Sequence, residues 1–304
     1  MASKYETRVD LENPHSSHAL IVELVGHDKR VLDVGCASGY LAAALAERGC
    51  DVVGIEVDPE AARRAEEHCE RVLVGDVESM DLDGPLEQEA FDVIVFGDVL
   101  EHLKEPLRTL ERLKPFLRDD GFVVASIPNV AHGSVRLALF QGRFQYQRLG
   151  LMDDTHLRFF TRESVERLFD DAGLPIIALR RTIRGIFDTE IEVDQEEVPR
   201  EVLQAVRTDP EALTYQFVAT AYRAGEAAVS AKRIRLLSEQ VAERDRMIYE
   251  LNRRVRNFEE LQRMLESRTE ELAAREGEVT ALAREVADVN VRLARLVQFG
   301  REEA

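Results

Sequence analysis

The sequence predicts a doubly wound, mostly parallel α/β sheet followed by a long C-terminal α-helical coiled coil. Three observations carry that expectation. Seven apolar runs between Val31 and Tyr222 alternate with helical stretches over most of that length. Successive runs end on acids, at Glu56 and Asp76, with Asp98 just past a third, which lines up carboxylates along one sheet edge. A heptad with a largely apolar seam then runs without interruption from Ile234 to Val297, with Arg244, Gln262, Thr269, Glu276 and Asn290 as its polar a and d positions. The division that follows is a folded domain over 1–225, with a long insertion at 131–160, and a coiled-coil helix for oligomerisation or partner binding over 226–304.

Composition narrows the function classes. A formal charge of −18 argues against a nucleic-acid binder, which normally carries a basic footprint. Residues 1–225 hold 25 basic and 42 acidic side chains, whereas residues 226–304 hold 15 and 16. The acidic body reads as a solvated surface that also tolerates a cationic ligand. Cys36, Cys50 and Cys69 show neither metal-type spacing nor a disulfide framework, so reduced thiols and a cytoplasmic setting are expected. No apolar run approaches the length of a membrane span, and no signal-peptide core is visible.

Taken in order, residues 1–13 are polar, and Pro14 to Val25 reads as an amphipathic helix. Its His15 and His18 are read as surface or capping residues. Val31–Val34 is a buried parallel strand. Gly35 and Gly39 bracket a tight turn, and Tyr40 to Arg48 is a helix closed by Gly49. Such a turn brings backbone amides close to a ligand, although Gly35-x-x-x-Gly39 is not the dinucleotide pattern. Asp51–Glu56 is the second strand, and Asp58 caps a helix with Pro59 at its first position. Glu56 stands at the strand's carboxyl end, where a ribose diol would lie. Arg71–Asp76, Phe91–Phe96 and Gly121–Ile127 are the next strands, with a helix predicted from Pro106 to Arg118. Thr161 caps a helix to Asp171, and Leu174–Ile183 and Tyr215–Tyr222 are the last strands.

The run Asp33-x-Gly35-x-Ala37-x-Gly39, the spaced acids at 56 and 76, and the block Asp98-Val-Leu-Glu-His-Leu103 followed by Leu113-Lys-Pro-Phe-Leu-x-x-x-Gly121 resemble class I S-adenosylmethionine (SAM) methyltransferases over roughly residues 11–224. The resemblance implies a Rossmann-like, seven-stranded sheet whose last two strands form an antiparallel hairpin. It also implies SAM as cofactor. Asp33, Gly35, Ala37 and Gly39 would cradle it, with Gly97 alongside. Glu56 would take its ribose hydroxyls, and Asp76 with the Val77 backbone would meet the adenine.

Methyl transfer needs a nucleophile held in line and, for a hydroxyl, a base or metal to remove its proton. Asp98, Glu101 and His102 fall at i, i+3 and i+4, on one face if helical. A similar block, completed by a later histidine, coordinates metal in small-RNA 2′-O-methyltransferases, and a related block occurs in ubiquinone-pathway O-methyltransferases. Here the later histidine is His156, which makes Asp98, Glu101, His102 and His156 a candidate Mg or Mn site. Asp98 has a shorter reach than the glutamate at that place in the small-RNA enzymes, so the metal-free reading is preferred. In that reading His156 is the general base, with His132 and Glu101 as further catalytic candidates.

The insertion carries Phe140, Phe144, Tyr146, Phe159 and Phe160 together with Arg136, Arg143, Arg148 and Arg158. It is read as capping the substrate. Aromatics suit sugar faces and arginines suit phosphate or carboxylate, so an anionic, hydroxyl-bearing acceptor such as a nucleotide- or lipid-linked saccharide is expected. The block Thr155-His-Leu-Arg-Phe-Phe-Thr161 also resembles methyltransferases associated with surface-polysaccharide biosynthesis. The expected function is O-methyl transfer to such an acceptor. The alternatives are methylation of a phenol, quinone precursor or amine, and a SAM-sensing coiled-coil scaffold without turnover.

In the tail, Ile234, Val241, Ile248 and Val255 occupy a positions, and Leu237, Leu251, Phe258 and Leu265 occupy d positions. The repeat would build a rod of about 95 Å. β-Branched a with leucine at d favours a parallel dimer, and Asn290 at an a position would fix the register. Leu282, Val289 and Leu296 widen the apolar stripe, leaving open a trimer or a partner coiled-coil protein beside the homodimer.

Overall fold

The computed structural model describes residues 9–223, apart from positions 12, 14 and 87–89, together with scattered positions between 241 and 282. The chain divides into two compact units, Met1–Arg246 and Met247–Ala304.

In the first unit, seven strands form one sheet: β1 (Arg30–Val34), β2 (Asp51–Glu56), β3 (Arg71–Val74), β4 (Phe91–Gly97), β5 (Leu117–Pro128), β6 (Ile176–Ile183) and β7 (Thr214–Tyr222). Their order is β3-β2-β1-β4-β5-β7-β6. The first five strands pair in parallel, and β7 runs antiparallel between β5 and β6, which is the expected closing hairpin. Among residues 9–223 as described, seven α-helices accompany them: α1 (Ser17–Val25), α2 (Tyr40–Ala46), α3 (Pro59–Ala65), α4 (Pro106–Leu113), α5 (Gly133–Phe140), α6 (Arg162–Asp171) and α7 (Arg200–Thr208).

Both faces of the sheet are covered, and β4 shows how. Ile94 and Phe96 enter a core with Phe116, Phe169 and Phe217, whereas Val93 and Val95 enter a second core with Ile21, Val31 and Leu45. This is the period-2 alternation of a strand buried on both sides. Helix starts follow their caps. Asp58 Oδ1 accepts from the Glu60 amide at 2.8 Å, and Thr161 and Ser164 form a reciprocal capping box at α6.

Three segments depart from expectation. The helix predicted to Arg118 ends at Leu113, and a 3-10 turn over Lys114–Phe116 leads directly into β5. Pro115 explains this, because it supplies no amide and its ring clashes with the preceding turn. Within the insertion, residues 133–140 fold as α5. Helix α7 lies in a stretch for which the sequence offered no element.

In the second unit, the described positions are helical, and Ile248, Leu251, Val255, Phe258 and Leu265 are 47–68% exposed. Ile234, Leu237, Val289, Asn290, Leu296 and Val297, and with them the coiled coil as a whole, lie outside the described residues. No helix among the described residues is long and apolar enough to cross a membrane.

Candidate active site

A cleft of about 990 Å³ opens along the carboxyl ends of the parallel strands. Its floor is the turn after β1. Gly35 adopts φ +71°, and a methyl group there would come within 2.7 Å of Val99 Cγ2. Ala37 also has positive φ, at 47°. Its amide donates to Glu56 Oε2 at 2.8 Å, while the Asp58 amide donates to Oε1 at 2.9 Å. Two backbone amides thus fix a carboxylate that is only 8% exposed at the end of β2, facing the cleft. One strand over, Asp76 forms a turn by accepting from the Glu78 amide at 2.9 Å, and it lines the cleft with Val77. On the other side of β1, Gly97 ends β4 and also lines the cleft.

Gly39 and Asp33 act differently from their neighbours. Gly39 packs the start of α2 on α3: a Cβ there would stand 2.8 Å from Ala65 Cα. Neither residue lines the cleft. Asp33 is buried within β1 at 1% exposure, and its Oδ2 has no hydrogen-bond partner. Burial first, and then the neighbouring Glu56 charge, push its carboxyl up to about 7.

Past β4 the chain turns sharply. Asp98 takes a left-handed φ of 57°, and a 3-10 turn over Leu100–His102 follows. The face expected from helical spacing therefore does not form. Asp98 Oδ1 instead accepts from Ser126 Oγ at 2.7 Å and Gln216 Nε2 at 2.8 Å. Glu101, His102 and His156 do converge, with their ligand atoms within 4.8 Å of one another, so the four-residue set reduces to three. Both Glu101 carboxylate oxygens are buried without a hydrogen-bond partner. Desolvation, reinforced by Asp98, holds that carboxyl well above its usual range. His102 Nδ1 meets the Thr155 carbonyl at 3.1 Å. A backbone oxygen thus orients the His102 ring, as around metal-binding histidines. A carboxylate and two imidazoles brought together in this way fit a divalent cation. Burial, then His102, lowers the His156 pKa, so its ring stays neutral and basic near pH 7.

His132 does not line the cleft. It is wholly buried, its Nδ1 accepts from the Ser134 amide at 3.2 Å as the cap of α5, and its Nε2 donates to the Arg184 carbonyl at 3.2 Å. Burial pushes its pKa down to about 4. Histidine lies outside the usual Ser, Thr, Asp and Asn caps, so this cap carries no local sequence signal. Conversely, His18 was read as a surface or capping residue but lines the cleft, 3.4 Å from the Tyr40 hydroxyl. Of the insertion's arginines, Arg136 pairs with Asp209 at 2.8 Å, Arg143 with Glu197 at 3.5 Å, and Arg158 binds the Lys104 carbonyl. Arg148 is exposed beside Leu149 and Gly150, which line the cleft. Phe144 and Tyr146 are also exposed, edge to face at 5.5 Å.

The class this defines is a doubly wound domain with a cleft at the carboxyl ends of its strands: an amide-held glutamate ends one strand, and a carboxylate–imidazole cluster lines the same cleft. A family model described as a methyltransferase domain matches residues 14–179, and the chain belongs to that family. The chain is 28% identical over 163 residues to the ubiquinone biosynthesis O-methyltransferase of Psychrobacter arcticus, covering 52% of this chain and 63% of that protein. It is 26% identical over 154 residues to the enzyme of that name from Acinetobacter baylyi, covering 49% and 64%. The match thus spans less than two thirds of these relatives. A SAM-dependent methyltransferase structure from Archaeoglobus fulgidus shares the fold, with a TM-score of 0.50 at 15% identity over 70% of this chain and 94% of that one.

Proposed function

We propose that the protein transfers a methyl group from SAM to a hydroxyl of its acceptor. One observation carries the reading: a single cleft joins the amide-held Glu56 carboxylate to the Glu101–His102–His156 cluster, in which Glu101 and His156 are buried. Glu56 suits a ribose diol, because its two oxygens keep lone pairs after accepting one amide each. Asp76 and the Val77 backbone suit the adenine. Seven carboxylates line the cleft among the described residues, against one lysine and three histidines, which favours a cationic sulfonium donor.

In the step itself the acceptor oxygen forms a bond to the methyl carbon as the carbon–sulfur bond breaks. S-adenosylhomocysteine leaves, and one proton must be removed. His156, held neutral by burial, takes that proton. Glu101, His102 and His156 would hold a divalent cation such as Mg or Mn, which when bound acidifies a hydroxyl. Chelation followed by metal addition, with turnover as readout, separates an assisted route from His156 acting alone.

The acceptor reading that leads is a saccharide-bearing anion. It is supported by exposed Arg148, next in sequence to Leu149 and Gly150 of the cleft lining, and by the exposed Phe144–Tyr146 pair in the same insertion. A phenol or quinone precursor is the second reading, favoured by the names of the relatives. Incubation with SAM and panels of both classes, read as a 14-dalton gain by mass spectrometry, tests the proposal. Donor binding without turnover on any acceptor would point to a sensing scaffold instead.

For 226–304 we propose a parallel homodimer. In the sequence register, g positions hold Arg254, Arg268 and Arg275, and e positions hold Asp245, Glu259 and Glu266. In parallel register a g side chain meets the e side chain five places on, which sets Arg254 opposite Glu259 of the other strand. A monomer in sedimentation at micromolar concentration would overturn this.

A further inference from the structure

We infer that Arg112 is a positioning residue for the donor's nucleobase: from outside the cleft, and through Asp76, it makes the site prefer adenine. The inference rests on the SAM reading above. Arg112 stands in the last turn of α4 and does not line the cleft. Its guanidinium reaches the turn that follows β3. There Nη1 donates to the Val77 carbonyl at 2.9 Å and the Glu78 carbonyl at 2.7 Å, and Nη2 donates to the Met80 carbonyl at 2.6 Å. Three carbonyls gathered on one planar fork fix the backbone of residues 77–80. The same turn is tied to α4 a second time. The Glu78 carboxylate accepts from the Lys104 amide at 3.1 Å and the Glu105 amide at 2.7 Å, just ahead of Pro106.

One of these bonds leads straight to Asp76. The Val77 carbonyl and the Glu78 amide belong to a single planar peptide unit. Its oxygen accepts from Arg112, and its N–H donates to Asp76 Oδ1 at 2.9 Å. A cation on the oxygen polarises the unit and makes its N–H a stronger donor. Asp76 is exposed, so these bonds, rather than packing, set the direction of its carboxylate. Its oxygens keep lone pairs for a ligand at the cleft wall. A carboxylate aimed in this way accepts from the exocyclic amine of adenine. The carbonyl oxygen that hypoxanthine carries at that place would face it as a second acceptor.

The test compares two probes on the full chain by equilibrium dialysis: S-adenosylhomocysteine, and S-inosylhomocysteine, in which oxygen replaces that amine. The unmutated protein should prefer the adenosyl probe about 10–100-fold. Arg112→Lys keeps the cation and Arg112→Gln keeps an amide donor, but neither presents the planar fork. Arg112 is half-buried, so both variants should fold, which a melting curve checks. In each the preference should shrink at least about 5-fold, mainly through weaker S-adenosylhomocysteine binding. In an Asp76→Asn background the same replacements should leave the preference where Asp76→Asn alone puts it. An unchanged preference in the folded variants, or the same shrinkage in both backgrounds, overturns the assignment. Equally tight binding of both probes by the unmutated protein overturns it too, and leaves the donor reading standing. Failure of the unmutated protein to bind either probe refutes the donor reading itself.

Discussion

Replacing Asp33 with asparagine should make the domain more stable above neutral pH while weakening its hold on a cationic donor. Asp33 is 1% exposed, and one of its oxygens has no partner. Its ionisation is displaced from the ordinary 3.8 to about 7. The sign follows from which state binds the proton. Between those two values the unfolded chain has lost the proton and the folded domain keeps it, so stability falls as pH rises through that window. At about 1.36 kcal/mol per decade, the loss approaches about 4 kcal/mol above pH 7. Asparagine does not ionise, but its amide brings two donors that also need partners, which trims the gain to about 2–4 kcal/mol. Urea denaturation at pH 5 and pH 8 reads this directly: the variant should gain on the wild type between the two pH values. Calorimetry should show SAM affinity falling more than S-adenosylhomocysteine affinity, because a cationic sulfonium over Gly35 favours the ionised Asp33 that asparagine cannot supply. A variant-minus-wild-type difference that is the same at both pH values would refute the reasoning.

Other expectations rest on separate parts of the structure. Gly39→Ala sets a methyl 2.8 Å from Ala65 Cα at φ +79°, and should cost about 2–4 kcal/mol in denaturation midpoint measurements. His132 stays neutral when folded, so it withdraws up to about 3 kcal/mol of stability as pH falls from 6.5 to about 4; His132→Asn, which keeps a cap, should flatten that acid limb of the melting curve. His156→Asn should lower turnover about 10²–10³-fold at neutral pH with S-adenosylhomocysteine affinity unchanged. Glu101→Gln should weaken Mn²⁺ binding at least about 10-fold by calorimetry; equal affinity in the variant would remove Glu101 from the cation set.

Much of the fold is legible in local chemistry. Asp51–Glu56, the Asp58–Pro59 helix start and the Thr161 cap appear as read, because each is decided by neighbours in sequence. Glu56 is equally legible, since a strand end fixes where it points. Asp98 was misplaced because helical spacing was assumed where the chain takes a left-handed turn, a choice stabilised by Ser126 and Gln216 from distant strands. The placements of His132, which caps α5, and of His18, which lines the cleft, escaped the sequence for a related reason. A histidine's function depends on what packs against it, and the Arg184 carbonyl and the Tyr40 ring arrive only with the tertiary fold. The separation of Gly39 from Gly35 likewise depends on how closely α3 approaches, which no local pattern records.

The central claim is that Glu56 and the glycine turn receive the nucleoside end of a SAM-type donor. Calorimetric titration with S-adenosylhomocysteine of the full chain and its Glu56→Gln variant tests it most directly. The account predicts saturable binding that weakens about 10–100-fold in the variant, as hydrogen bonds to a charged carboxylate are lost. Binding of equal strength in both proteins, or no heat from the unmutated chain, would contradict it.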